Sequence, residues 1–180
     1  MSLPSPLLVA TSNAGKLAEW RILLGGLGIE LRPWPGRAPE EDAGSVEGNA
    51  RIKALSAARQ AGVPALGDDV GLWVEALLGA PGLELRRWAD ALGGWGPAKQ
   101  ALQAQADGSA ATYRCGVALA WPDGATLTAV GVLEGRIAEG LGPGPGLQPC
   151  FRPLVPPDTP RGIAPHRALA LRALLGALGR

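Results

Sequence analysis

Two adjacent carboxylates, Asp68 and Asp69, follow the apolar run that ends at Leu66 and precede Gly71. Like charges at a strand end repel each other, and burial disfavours their charged forms, so solvent, a basic side chain or a metal must compensate them. Carboxylates at such a position can hold Mg²⁺, and one of them can orient a water as a general base. The alternative is a turn in which both aspartates hydrogen-bond nearby backbone.

A second candidate is the loop "TSNAGK", which runs from Thr11 to Lys16 after the short apolar segment Pro6 to Ala10. A strand, a loop of small residues and a helix start offer backbone N–H groups and the positive end of a helix dipole to an anion. A lysine in the first turn is mildly unfavourable for the helix, and an external anion would explain it. The alternative is an ordinary surface lysine beside a capping loop. The spacing is not that of a Walker A loop.

Three further polar groups need weighing. The acidic segment Glu40–Asp42 is, taken alone, best interpreted as a solvated charge run. Asn49 and Lys53 lie four residues apart on a predicted helix and share a face, which is either functional or a polar stripe facing water. His166 and Arg167 begin the last predicted helix, where a lone histidine is more often structural or exposed than catalytic.

Composition limits the class of protein. The chain has 180 residues, 47% of them hydrophobic, which suffices for one packed domain spanning 1–180 or for two small lobes that share a core. A net charge of +1 argues against a nucleic-acid binder that relies on bulk positive charge. No apolar segment approaches the ~20 residues of a membrane span, and no signal peptide is evident. The cysteines, Cys115 and Cys150, lack metal spacing, so we expect reduced thiols in a cytoplasmic protein without membrane partners.

Periodicity predicts alternating strands and helices, and thus an α/β fold with a mixed sheet. The predicted strands are 6–10, 29–34, 63–69, 111–121 and 126–138, the last two forming a hairpin around "PDG". The predicted helices are 16–26, 45–61 with Ser45 as its cap and Gly62 at its exit, 83–92, 97–106 and 165–179. Segment 139–162, rich in Gly and Pro, is predicted to be a long loop.

The chain resembles the inosine triphosphate pyrophosphatase family, also called the Ham1 family, over nearly its whole length. The resemblance rests on "ATSNAGK", "EEDAGSVEGNARIKA", "GDDVGLWVEALLGAPG", "RRWA", "YRCGVALAWPDG", "PCFRP" and "PHRALAL". It implies an elongated, two-lobed mixed sheet flanked by helices, with a nucleotide cleft between the lobes. It also implies Mg²⁺-dependent hydrolysis of nucleoside triphosphates, preferably ITP, dITP and XTP, to monophosphate and pyrophosphate. Members usually form homodimers and cleanse the nucleotide pool.

The resemblance also implies roles for individual residues on the phosphate and metal side. Asp69 matches a metal ligand and proposed proton acceptor, and Glu40 matches the metal-binding glutamate. Glu41 and Asp68 are secondary metal candidates, Asp68 more as a supporting neighbour. The implied phosphate-binding residues are Thr11, Ser12, Asn13, Lys16, Asn49 and Lys53. Two lysines and Mg²⁺ would neutralise about four negative charges of a triphosphate.

On the base side, the resemblance places Arg87 on an arginine motif and His166 with Arg167 at the purine. Here the chain also departs from the family. Gln148 stands where the family has an aspartate, and Arg161 where it has a lysine. Val70 replaces a hydroxyl residue beside the substrate.

The segment before Gln148 departs as well, because Pro145 and Leu147 replace aromatic residues. Base stacking is worth about 1–3 kcal/mol in nucleic-acid sites, so this loss should weaken base binding. Three hypotheses remain open at this point. The chain is an active enzyme with a shifted base preference, a divergent paralogue that binds nucleotide or a partner without efficient catalysis, or a dimerising scaffold that has lost its site.

Overall fold

Strands and helices alternate along the chain, as the periodicity predicts. The computed structural model describes residues 3–37, 39–139, 145–156, 158–160 and 162–179. The helices are α1 (Ala14–Gly25), α2 (Val46–Ala61), α3 (Leu85–Ala91), α4 (Trp95–Ala106) and α5 (Pro165–Ala177). The strands are β1 (Leu7–Val9), β2 (Leu31–Pro33), β3 (Ala65–Val74), β4 (Pro81–Gly82), β5 (Ala110–Ala120), β6 (Thr126–Ile137) and β7 (Phe151–Pro153).

The seven strands of the described ranges form a mixed sheet in the order β2-β1-β3-β5-β6-β7, with β4 paired to β3. Strand β1 runs parallel to both β2 and β3, and Leu8 lies opposite Ala65. Strands β4 and β7 pair antiparallel with β3 and β6. The predicted mixed α/β class with flanking helices is therefore confirmed. None of the helices in the described ranges is long and apolar enough to cross a membrane.

The chain divides into two compact units. Unit 1 comprises Met1–Asp69, Cys115–Gly131 and Thr159–Arg180, and unit 2 comprises Val70–Arg114 and Val132–Asp158. Helices α1, α2 and α5 belong to unit 1, and α3 and α4 belong to unit 2. The long strands β3, β5 and β6 each contribute to both units. Both cysteines are buried and free, as the sequence predicts.

Helix α2 packs very closely on β3 in unit 1. Alanines line the contact, and Ala50, Ala54 and Ala57 are fully buried in one hydrophobic cluster. Opposite them stands Gly67, where a Cβ would overlap the carbonyl oxygen of Ala50 and lie 2.9 Å from the amide nitrogen of Ala54. This close approach brings the polar face of α2 to the strand residues that follow Gly67.

The predicted boundaries of α2 are correct because they rest on local chemistry. The Ser45 hydroxyl accepts from the Gly48 amide, and Gly62 ends the helix in the left-handed conformation. The predicted loop 139–162 is wrong in part, because Phe151–Pro153 form β7 opposite Gly135–Ile137. At Gly135 a side chain would overlap the Phe151 ring, so this pairing depends on a tertiary contact that composition does not reveal.

Candidate active site

Asp68 and Asp69 lie on β3 with their side chains on opposite faces, because successive residues of a strand point to opposite sides of a sheet. Their contacts follow this alternation. Asp69 bonds to side chains of α2, whereas Asp68 bonds to side chains of α1 and α5. Both are buried, with 2% and 9% of their surface exposed. Each carboxylate therefore has its own cationic environment, and the predicted like-charge conflict is relieved within unit 1.

On the α2 face, Lys53 joins two carboxylates. Its Nζ lies 3.1 Å from Asp69 Oδ1 and 2.9 Å from Glu41 Oε2. Burial acts to lower the pKa of Lys53, but the charges of Asp69, Asp68 and Glu41 outweigh it and raise that pKa. The ammonium is therefore held in its charged form between Glu41 and Asp69, the last residue of β3 that belongs to unit 1.

Asn49 fixes the second oxygen of Asp69. Its Nδ2 donates to Asp69 Oδ2 at 3.0 Å, and its Oδ1 accepts from the Ala43 amide at 3.1 Å. The side chain is buried, and both ends of its amide are used within the protein. Asn49 thus ties the Ala43 amide to the carboxylate and positions Asp69 in this structure. Its role as a substrate ligand stays a prediction.

On the other face, Asp68 accepts from three side chains. Lys16 Nζ lies 3.0 Å and Arg167 Nη2 3.2 Å from Oδ2, and Trp20 Nε1 donates to Oδ1 at 3.2 Å. Burial alone would raise the pKa of Asp68, but Lys16, Arg167 and Lys53 hold it well below its usual range. Asp68 is therefore held as an anion at neutral pH and anchors Lys16 and Arg167. Its role as a neighbour that supports the metal ligand stays a prediction.

Glu19 completes this network and was missed by the sequence reasoning, as was Trp20. Glu19 Oε2 accepts a short hydrogen bond from Arg167 Nη1, and it accepts from the Ala164 amide at 2.8 Å. It thereby caps the start of α5, where no side chain of the cap residue does so. The signal was available, because Lys16, Glu19 and Trp20 share one face of α1 by their spacing.

The loop Thr11 to Lys16 is organised by Asn13. The Asn13 side chain accepts from the amides of Gly15 and Lys16, at 2.9 Å and 3.2 Å, and Thr11 Oγ1 accepts from the Asn13 amide. The amides of Gly15 and Lys16 are therefore bonded to Asn13, an effective helix cap, in this structure. The role of the loop in phosphate binding stays a prediction. Ser12 is exposed, and the Lys16 side chain is 24% exposed.

Comparisons with known proteins show which family the chain resembles. The model of the Ham1 family matches residues 7–176. The chain belongs to the Ham1 family. A dITP/XTP pyrophosphatase from Rhodospirillum centenum is 39% identical, and the match covers 94% of this chain and 92% of the relative. A dITP/XTP pyrophosphatase from Exiguobacterium sibiricum is 37% identical, with 96% of each chain covered.

A solved structure extends the similarity to three dimensions. The HAM1 protein from Coxiella burnetii superimposes with a TM-score of 0.75 at 34% identity, covering 98% of this chain and 99% of that one. The family resemblance and the mixed α/β class predicted from the sequence are thereby confirmed. The predicted elongated shape and the cleft between lobes stay expectations.

Several residues to which the Ham1 resemblance assigns a role take no part in the hydrogen bonds and ion pairs described above. Glu40 is exposed, and within the described part of the chain the neighbouring Glu41 makes the bond to Lys53 instead. In unit 2, Arg87 is exposed and paired with Glu84 at 2.9 Å. Gln148 begins a short 3₁₀ turn and is half-buried.

The remaining predicted residues also differ in their surroundings. Val70, next to Asp69, is half-buried. Arg161 lies outside the described residues. His166 is buried, and burial, reinforced by the charges of Arg167 and Lys16 against that of Asp68, lowers the pKa of His166 to about 3. The imidazole is consequently neutral at physiological pH.

A metal site of Glu40, Glu41, Asp68 and Asp69 together is not assembled. Across the described ranges, no group of three or more His, Cys, Asp or Glu side chains could hold a metal ion. Glu41 and Asp69 nevertheless share one cation, the Lys53 ammonium. Mg²⁺ needs only one or two protein carboxylates, because waters and substrate phosphates supply the rest. The donor set of Glu41 and Asp69 therefore fits Mg²⁺.

Proposed function

We propose that this chain hydrolyses nucleoside triphosphates to the monophosphate and pyrophosphate, using Mg²⁺, and that its substrates are deaminated purine nucleotides. It is a hydrolase of phosphoric anhydrides, like the relatives named dITP/XTP pyrophosphatase. ITP, dITP and XTP are the preferred substrates in this proposal. Membership of the Ham1 family also supports a cytoplasmic homodimer that cleanses the nucleotide pool.

The observation that carries the proposal is the pairing of each β3 aspartate with a lysine from a different helix. Asp68 holds Lys16 of α1, and Asp69 holds Lys53 of α2. Two ammonium groups are thus fixed by adjacent strand residues inside one unit. A triphosphate brings about four negative charges, and phosphoryl transfer is promoted mainly by positioning and by neutralising them.

Asp69 is the proposed general base. Asn49 donates to its Oδ2, so the carboxylate keeps a fixed orientation when Lys53 turns to phosphate, and it remains an acceptor with spare lone pairs. It would take a proton from the water that attacks the α-phosphorus. Asp69 and Glu41 would hold Mg²⁺, which when bound supplies positive charge to the phosphate oxygens.

Base selection is the half of the proposal in which this chain departs from the family pattern. Leu147, which replaces a family aromatic, is 1% exposed and so does not offer a face for stacking, and Pro145 is exposed but has no aromatic ring. The neutral His166 and the charged Arg167 are the base-side groups of unit 1. We propose that discrimination between deaminated and ordinary purines is weaker here than in relatives that keep the aromatic residues.

The test is a panel of triphosphates. Purified protein with Mg²⁺ and dITP, ITP, XTP, dGTP or dATP should release pyrophosphate and monophosphate, fastest with the deaminated bases. Asp69→Asn should lower the rate by about 10²–10⁴-fold while the thermal unfolding curve stays cooperative. The exposed carboxylate of Asp90 gives the matched control, since Asp90→Asn should leave the rate unchanged. Release of orthophosphate alone, or an active D69N protein, would contradict the proposal.

A further inference from the structure

Lys53 lies where two carboxylates need a cation. Its Nζ bonds Glu41 Oε2 at 2.9 Å and Asp69 Oδ1 at 3.1 Å, so these two oxygens are at most about 6.0 Å apart. The side chain of Lys53 is 8% exposed and that of Asp69 is 12% exposed. The protein thus already supplies one positive charge to the pair that would hold Mg²⁺.

A divalent ion and this ammonium compete for the same ligands. Mg²⁺ coordinates carboxylate oxygens at about 2.0–2.1 Å, far closer than the hydrogen-bond distances seen here. An ammonium that stayed on the same oxygens would lie within a few ångströms of a double positive charge, in a place where burial weakens solvent screening. Lys53 must therefore leave Glu41 and Asp69 when the ion binds.

In the part of the chain that the structure describes, Lys53 forms ion pairs only with Glu41 and Asp69. Asp68 is turned to the opposite face of β3 and is engaged by Lys16, Trp20 and Arg167. Glu40 is exposed on the preceding loop. A triphosphate supplies the missing anionic oxygens, so it can receive Lys53 while the carboxylates receive the metal.

We propose that Lys53 acts as a resident counterion which excludes divalent metal from Glu41 and Asp69 until a triphosphate draws it away. The metal then enters with the substrate and does not pre-load the free protein. This inference rests on the proposed function, because the triphosphate is what releases Lys53. It makes Lys53 a gate on metal entry in addition to a phosphate contact.

The experiment measures metal binding without nucleotide and without turnover. Mn²⁺ is titrated into the nucleotide-free protein, and free Mn²⁺ is followed by electron paramagnetic resonance. The wild type should bind Mn²⁺ weakly, and Lys53→Gln should bind it at least about tenfold more tightly, since removing the ammonium leaves two carboxylates facing each other. Arg59→Gln, which removes an exposed positive charge from the same helix, should bind as the wild type does.

Thermal unfolding provides a second readout. Mg²⁺ alone should leave the melting temperature of the wild type unchanged and raise that of K53Q, because an ion that binds only the folded state stabilises it. Lys53→Met keeps the packing of the buried stem and replaces K53Q if the glutamine variant does not fold. Tight, stoichiometric Mn²⁺ binding by the wild type would overturn the inference. So would a Lys53 variant with wild-type affinity, or an equal gain in R59Q.

These outcomes are separable from those of the substrate panel. If the protein releases pyrophosphate from dITP but binds Mn²⁺ tightly without nucleotide, the proposed function stands and the inference about Lys53 fails. A protein in which K53Q gains metal affinity but no triphosphate is hydrolysed keeps the exclusion of metal and loses the proposed function.

Discussion

At the scale of single residues, Asp68 and Asp69 are neighbours in the chain with separate tasks. Asp68 is buried among Lys16, Trp20 and Arg167, and its charge is fixed by them. Asp69 contacts Asn49 and Lys53, and Lys53 also bonds Glu41. The alternation of a strand separates an anchoring carboxylate from a reactive one without any intervening residue.

Replacing the anchoring carboxylate should be costly to stability. Asp68→Asn keeps the shape of the side chain but leaves Arg167 and Lys16 without their shared counterion, and breaking a buried pair costs about 3–5 kcal/mol. Arg167 retains Glu19, and Lys16 can reach solvent, so we expect the lower end of that range. Urea unfolding at neutral pH measures it. An unchanged free energy of unfolding would show that Asp68 does not anchor the network.

Asp68→Asn should also change how steeply the free energy of unfolding falls at acid pH. The pKa of Asp68 is lower in the folded protein than the value of about 3.9 in an unfolded chain. Its contribution is therefore fully present above about pH 4 and is lost as pH falls further, whereas D68N lacks this loss. Comparing the slopes of wild type and D68N below that pH isolates this contribution.

His166 gives a second pH dependence in the wild-type protein. Its folded pKa is about 3, below the unfolded value of about 6.5, so the unfolded chain binds one more proton between these values. Stability should fall as pH drops through this window, by up to about 1.4 kcal/mol per pH unit. Because the chain has a single histidine, its NMR signal is unambiguous and should not titrate between about pH 5 and 8. A midpoint near 6.5 would refute the buried, neutral state.

Sequence reasoning found the residue types at this scale but not all of their partners. The spacing of Asn49 and Lys53 on a helix predicted that they share a face, and both do contact Asp69. The resemblance favoured Glu40 over Glu41 as the metal-binding glutamate, but Glu41 is the one that bonds Lys53. No helical or strand period fixes the direction of a loop side chain, so the sequence did not predict this contact. Glu19 needed the tertiary position of α5 before its role could be assigned.

At the scale of elements, the geometry of the α2 face depends on one glycine. Gly67 on β3 lies against Ala50 and Ala54 of α2, with no room for a Cβ. The same helix carries Asn49 and Lys53 to Asp69, two residues beyond Gly67. A change in the distance between helix and strand would therefore alter the bonds to the proposed base.

We accordingly expect Gly67→Ala to be harmful. Overpacking of this kind costs about 1–3 kcal/mol, and lifting α2 should also lower the rate of pyrophosphate release. Gly176 in α5 is the control, because a Cβ there meets nothing within 4 Å and its φ is not positive. Gly176→Ala should stabilise the protein by about 0.4–1 kcal/mol, since alanine has less conformational freedom than glycine in the unfolded chain. Denaturant unfolding distinguishes the two, and equal effects would argue against close packing at Gly67.

Elements defined by local signals were predictable, whereas those defined by distant contacts were not. The cap at Ser45 and the exit at Gly62 placed α2 correctly, because both signals are local. Strand β7 was missed, because its three residues lie in a segment whose glycines and prolines indicate a loop. Strand β7 forms through its pairing with β6, which its own sequence does not predict.

At the scale of the whole molecule, the predicted residues divide between the two units. The groups proposed for phosphate and metal belong to unit 1, as do His166 and Arg167. Arg87 and Gln148 belong to unit 2. The Ham1 resemblance could select residues from both units, but only the contacts inside unit 1 are tied together by the ion pairs described here.

The central claim is that the unit 1 cluster directs water to the α-phosphorus of a nucleoside triphosphate. Hydrolysis of dITP in water enriched in oxygen-18, followed by mass spectrometry of both products, tests this directly. The heavy oxygen should appear in the monophosphate, with the pyrophosphate unlabelled. Label in the pyrophosphate would place the attack at the β-phosphorus, and labelled orthophosphate would place it at the γ-phosphorus. Either result would contradict the role assigned to Asp69.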